Sequence, residues 1–233
     1  MHEPRESTLP QSSAPGREWL LLLFAFFLVW TVRATVLYSI DSAIASEVWR
    51  KIYADTVRLF IWVVPVLIYV KRIERARPLT YLKLSTPITR KALWQSMALI
   101  ALYFISAWLL DHFVKGLPLA PTRQLSSRDF LSALFYVPVA PLAEEIFFRG
   151  FVLQKCAAEV RFWIANLITS FLFVAIHWPY WLYSGGFQSA KLMDSGAIFL
   201  LSLFLGYLVR KSDSLWPSIT AHILNNFISG YLR

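Results

Sequence analysis

The amino-acid sequence predicts an all-α fold, a polytopic bundle of about seven transmembrane helices. Three observations predict it. Hydrophobic residues make up 57% of the chain and charged residues only 16%, well below the roughly 25% charge of a typical soluble domain. The apolar residues fall into uncharged runs at 20–30, 59–70, 92–110, 162–183, 196–209 and 215–232, too many to pack around one soluble core. The run 92–110 alone is long enough to cross about 30 Å of hydrocarbon as a helix. Finally, the basic residues gather between the runs, where orientation signals belong.

Residues 1–17 are polar, contain Pro4, Pro10, Pro15 and Gly16, and read as a disordered tail. The expected spans are about 18–38, 55–71, 91–112, 129–157, 161–183, 194–210 and 214–232. The first reads as a retained anchor, because no small-x-small cleavage site follows Trp30 and Arg33 comes next. No Gly-rich linker or internal repeat divides the chain. One membrane domain is expected, with three helices and their loops in 18–128 and a core of four helices in 129–233. Pro138 and Pro141 remove backbone donors from the fourth span and should bend or loosen it.

The connection 71–91 holds Lys71, Arg72, Arg75, Arg77, Lys83, Arg90 and Lys91. It is expected in the cytoplasm, next to anionic headgroups, which puts the N-terminus inside and the C-terminus outside. On this assignment Lys155, Arg161, Arg210 and Lys211 also lie inside, while Arg50 and Lys51 lie outside. The net charge of +9 is then an orientation signal; the bilayer is an expected partner and nucleic acid is not. The lone Cys156 excludes an intramolecular disulfide and a zinc site built from several cysteines.

The informative residues are the ones a bilayer penalises. A charge at a helix centre costs roughly 2.5–3.5 kcal/mol even on the mild insertion scale, so it stays only where it faces protein or water. The fourth span carries Glu144, Glu145 and Arg149. Glu145 and Arg149 are four apart, share a face and can pair. Glu144 points about 100° away and is free to meet another helix. The fifth span places Phe173 and His177 four apart on one face, and the seventh does the same with His222 and Asn226. Measured from the inner membrane face, Glu144 lies about 20 Å deep, His177 about 24 Å and Asn226 about 18 Å. Carboxylate, imidazole and amide groups converging at one depth can hold a water or a metal ion and stabilise an oxyanion. The bland alternatives are a structural ion-pair knot for the Glu-Glu-Arg group, a satisfied core histidine for His177, and interhelical hydrogen-bond glue for His222 and Asn226.

This ordered set, EExxxR, FxxxH and HxxxN, resembles the CPBP family of intramembrane proteases, which includes the type II CAAX prenyl endopeptidases and bacteriocin self-immunity proteins. The resemblance covers roughly residues 129–232. It implies hydrolysis of a peptide bond in a membrane-anchored or lipidated protein. By that analogy Glu144 and His177 activate the attacking water. His222 and Asn226 bind a metal or the oxyanion, and Glu145, Arg149 and Phe173 are supporting residues. It also implies a location in the bacterial inner (plasma) membrane. Zinc held by Glu144, His177 and His222 and a metal-free glutamate mechanism are both compatible with the donor types. The soluble zinc-protease motif HExxH is absent, since Trp178 and Pro179 follow His177. Two readings of other classes compete: a non-catalytic membrane scaffold or bacteriocin-immunity factor, and a small proton-coupled transporter.

Overall fold

The computed structural model describes residues 17–116, 126–185 and 189–232. The expected disordered tail lies outside them, apart from Arg17. Every regular element among the described residues is helical. Six helical segments are long and apolar enough to cross a membrane: Glu18–Ala43, Glu47–Arg72, Arg90–Phe113, Phe130–Glu159, Phe162–Ser184 and Lys191–Ser212. The chain is an integral membrane protein with several spans. Large apolar side chains such as Leu21, Phe24, Leu102, Phe113 and Leu131 point outward, as a lipid-facing surface requires.

The expected seventh span is present as a helix but is short. It comprises α13 (Trp216–Phe227) and a π-helical turn, Ile228–Leu232. Seventeen residues from Trp216 to Leu232 rise about 25 Å, less than the roughly 30 Å hydrocarbon layer. Pro217 starts this helix inside the uncharged run, and Ser218 and His222 give it a buried polar face.

Four of the six spans are interrupted. The first is α1 (Glu18–Ala34) followed by α2 (Tyr38–Ala43). The second is α3 (Glu47–Trp62), capped by the Ser46 hydroxyl, and α4 (Val64–Arg72), which starts beside Pro65. Arg50 and Lys51, expected in the loop, lie in the opening turns of α3. After the short α5 (Pro78–Tyr81) comes the continuous α6 (Arg90–Lys115), capped by the Thr89 hydroxyl and ended by Gly116 at φ +66°, a left-handed position that favours glycine. The fourth span breaks at Val137–Pro138, between α7 (Ser127–Tyr136) and α8 (Val139–Glu145), where the prolines were expected to loosen it. A π-helical stretch, Ile146–Val152, then leads into α9 (Leu153–Glu159). Lys155, expected in a loop, is buried in α9 and pairs with Glu74.

The fifth span is α10 (Phe162–Ala175) and α11 (Trp178–Ser184), broken at Ile176–His177. Pro179 has no N–H to offer the carbonyl four residues back. At this break the Trp30 indole donates to the Ile176 carbonyl at 3.0 Å. The last span is within α12 (Ser189–Ser212).

Two contacts position the later helices. Phe26 of α1 stacks on Phe147 at 3.9 Å and meets Trp62 of α3 edge-on at 4.8 Å. Phe148 in turn meets Phe173 of α10 at 5.2 Å. This aromatic chain joins the N-terminal helices to the π-helical stretch and to α10 through ring packing, the main attraction left where the solvent is itself apolar. On the other side α10 packs closely on α12. The Asn166 amide donates to the Leu203 carbonyl at 2.9 Å, and Gly206 makes the approach possible: a Cβ there would stand 1.9 Å from Asn166 Oδ1. Gly206→Ala should therefore push α10 off α12 and destabilise the protein by about 1–3 kcal/mol, seen as a lower melting temperature in detergent; an unchanged melting temperature would count against this packing.

Candidate active site

The fourth span sends its adjacent carboxylates to different places. Glu145 is fully buried. Its Oε1 accepts from Arg149 Nη1 at 2.8 Å and from His222 Nδ1 at 2.8 Å. Its Oε2 accepts from the Ser218 hydroxyl. Because the acceptor is a carboxylate, Nδ1 of His222 carries a proton, and Nε2 is the nitrogen left for other partners. Arg149 continues the network. Its Nη2 donates to the Ser202 hydroxyl at 2.7 Å and to the Ser202 carbonyl at 3.2 Å, and its guanidinium lies 4.4 Å from the centre of the Phe173 ring. Four elements, α8, the π-helical stretch, α12 and α13, are tied together by one carboxylate and one guanidinium.

Glu144 takes no part in that network. Its Oε2 lies 3.7 Å from His222 Nε2, beyond hydrogen-bond distance, and 12% of its side chain remains exposed. It lines a cavity of about 250 Å³ together with His177, Trp30, Arg33, Arg58 and Tyr180. The break before Pro179 leaves His177 at the turn between α10 and α11, half-buried. Its Nδ1 stands 3.0 Å from the Phe173 carbonyl. A carbonyl only accepts, so Nδ1 is protonated and Nε2 is the free acceptor.

Phe173 sits between the imidazoles, edge-on to His177 at 5.6 Å and to His222 at 5.7 Å. The structure thus brings Glu144, Glu145, Arg149, Phe173, His177 and His222 into one neighbourhood. Asn226 lies one turn beyond His222 on α13, half-buried, with its Oδ1 accepting from the Asn225 amide at 3.4 Å. It does not line the cavity.

The zinc donors Glu144, His177 and His222 are not gathered around one point. Among the described residues no three His, Cys, Asp or Glu side chains are close enough together to hold one ion.

Several residues of the site escaped the sequence reading. Ser218 had a signal, being four before His222 on the same helical face. Arg33 and Arg58 had one too, as charges within spans. Ser202 had none, because serine is common in membrane helices and its partner lies 53 positions away.

A family model described as type II CAAX prenyl endopeptidase Rce1-like matches residues 126–228. This stretch is a domain of that family. No curated protein and no solved structure matches the chain. The Rce1-like domain contains Glu144, Glu145, Arg149, Phe173, His177, His222 and Asn226, whereas Trp30, Arg33 and Arg58 on the cavity wall lie outside it.

Removing Arg149 would strand Glu145 as a charge in a sealed site. Arg149→Ala should accumulate less and melt earlier than His222→Ala, by roughly 3–5 kcal/mol relative to wild type. Joining Arg149→Met with Glu145→Gln should recover part of that loss. Equal melting of the two single variants would rule out a dominant role for the pair.

Proposed function

We propose that the chain is an intramembrane endopeptidase of the glutamate type, acting on a membrane-anchored or lipidated protein. The observation that supports this best is that Glu144 and His177, from different helices, line one cavity, while the neighbouring carboxylate is sealed into a structural network. Two adjacent glutamates thus have separate tasks. Glu145 holds the helices and orients His222; Glu144 keeps an open side toward space that a water and a peptide carbonyl can enter.

In the proposed reaction, Glu144 takes a proton from a water that Nε2 of His177 orients. The water oxygen attacks the carbonyl carbon, and the carbonyl oxygen takes up the negative charge. His222, its Nδ1–H held by Glu145, turns its Nε2 toward that oxygen and donates to it when that nitrogen carries a proton. Asn226, one turn beyond His222, is the proposed second donor, and its free amide N–H groups would reach that oxygen by turning toward the cavity that the residue does not line in this structure. The C–N bond breaks as Glu144 returns the proton to the leaving nitrogen. The reaction is written without a metal because the three candidate donors are not gathered into one coordination site. The membrane assigned to it is the bacterial plasma membrane, with the N-terminus in the cytoplasm on the strength of the basic connection 71–91.

Cleavage of a membrane-anchored reporter tests this reading. Glu144→Ala and His177→Ala should each lower the rate by about 10²-fold or more while melting close to wild type, and wild-type cleavage by both variants would refute the site. Chelator treatment of the purified protein should leave the rate unchanged. Activity lost to a chelator and restored by zinc would overturn the metal-free route.

A further inference from the structure

Away from the candidate site, the seam between α10 and α12 gathers groups that the proposed reaction does not use. α12 ends in Arg210 and Lys211, and α10 begins directly after Arg161. All three cations are exposed. The Arg210 guanidinium lies 4.4 Å from the centre of the Phe162 ring and 5.9 Å from that of Trp163. These are the first two residues of α10, so Arg210 stands beside the opening turn of that helix. No side chain caps this start, which leaves its first N–H groups open at the positive end of the helix dipole. Three acids at this end of the molecule are already engaged: Asp213 with Lys83, Glu74 with Lys155, and Glu159 with the Trp19 indole. Among the described residues no carboxylate pairs with Arg161, Arg210 or Lys211. From the cations toward the middle of the span the surface turns apolar. Trp163 stacks on Tyr207 of α12, with the rings 5.8 Å apart and 13° from parallel. Ile164, Leu167, Ile168 and Phe171 continue an exposed row along α10, at the spacing of one helix face.

We infer that this seam seats an anionic phospholipid, with its phosphate on Arg210, Arg161 and the open start of α10 and an acyl chain along the apolar row. Guanidinium groups and the free N–H groups of a helix start both match phosphate oxygens. The stacked Trp163 and Tyr207 provide the amphipathic rings that settle at headgroup depth. Cations with no anion of their own favour a headgroup of net negative charge over a zwitterion, whose ammonium they repel. The end of the bundle agrees with this. The Leu215 N–H donates to the Lys83 carbonyl at 3.1 Å, which puts the seam at the same end as the basic connection 71–91. Cations in the last turn of α12 also complement that helix's own dipole, but this does not account for Arg210 lying against the first residues of a neighbouring helix. A lipid held here joins the end of α10, which carries Phe173, to the end of α12, which carries Ser202.

Spin-labelled lipids test the seat on the full chain in phosphatidylcholine vesicles at fixed ionic strength. Labelled phosphatidylglycerol should associate with wild type at least about fivefold more strongly than labelled phosphatidylcholine, a preference within reach of one cation at an anionic surface. Joint substitution of Arg161→Gln and Arg210→Gln should remove most of that preference, and Trp163→Ala should remove part of it. Arg90→Gln with Lys91→Gln takes the same charge from the basic connection and should keep the preference. Equal association of the two labels with wild type, a comparison that needs no variant to fold, overturns the inference. So does an equal loss in the two double variants, which shows diffuse attraction without a seat. In detergent, phosphatidylglycerol should raise the melting temperature of wild type more than that of the Arg161→Gln, Arg210→Gln protein. An equal rise from inorganic phosphate alone shows an anion site that needs no lipid and overturns the assignment.

Discussion

The arrangement depends on one buried carboxylate. Glu145 sits where a bilayer protein can least tolerate a charge, and it is kept there by a guanidinium, an imidazole and a hydroxyl, all hydrogen-bonded to it. Such a group does little for net stability when compared with a well-packed apolar core, because desolvation opposes the attraction. What it gives is specificity of arrangement. Arg149 brings in Ser202 of α12, Ser218 and His222 bring in α13, and the three helices have one mutual position in which these hydrogen bonds form together. The position of His222 Nε2 beside Glu144 follows from that lock.

The second constraint is backbone discontinuity. Helices in lipid satisfy their own backbone groups, and a break is tolerated only where protein or water supplies the missing partners. Here three of the departures from regular α-helix fall beside the candidate site. The interruption before Val139 precedes the two glutamates, the π-helical stretch carries Arg149, and the turn before Pro179 presents His177. The indole of Trp30, from a distant helix, takes up the Ile176 carbonyl at the last of these.

Much of this was legible in the sequence, and the reasons for what was not are specific. The helical bundle followed from uncharged runs. The Glu145–Arg149 pair followed from a spacing of four, and the loosening near Pro138 from missing donors. The π-helical stretch at 146–152 was not legible, because α and π turns share the same apolar composition and differ only in which carbonyl each N–H reaches. The helix over 215–232 was legible from its uncharged run, but the buried polar face that carries Ser218 and His222 was not. The cavity wall was missed for another reason. Arg33 and Arg58 are charges inside spans, but nothing in one sequence says that α1 and α3 fold over α8 and α11.

That wall has a consequence for how the molecule divides its labour. The residues proposed for bond breaking all lie within the matched stretch 126–228, but the cavity onto which Glu144 and His177 open is closed by helices that come before it. A fragment trimmed to the recognisable region would keep the reactive groups and lose the chamber around them. Conversely, changes confined to the first two spans can redraw what the chamber accepts without disturbing the buried lock, so selectivity and reactivity are free to vary separately in this architecture.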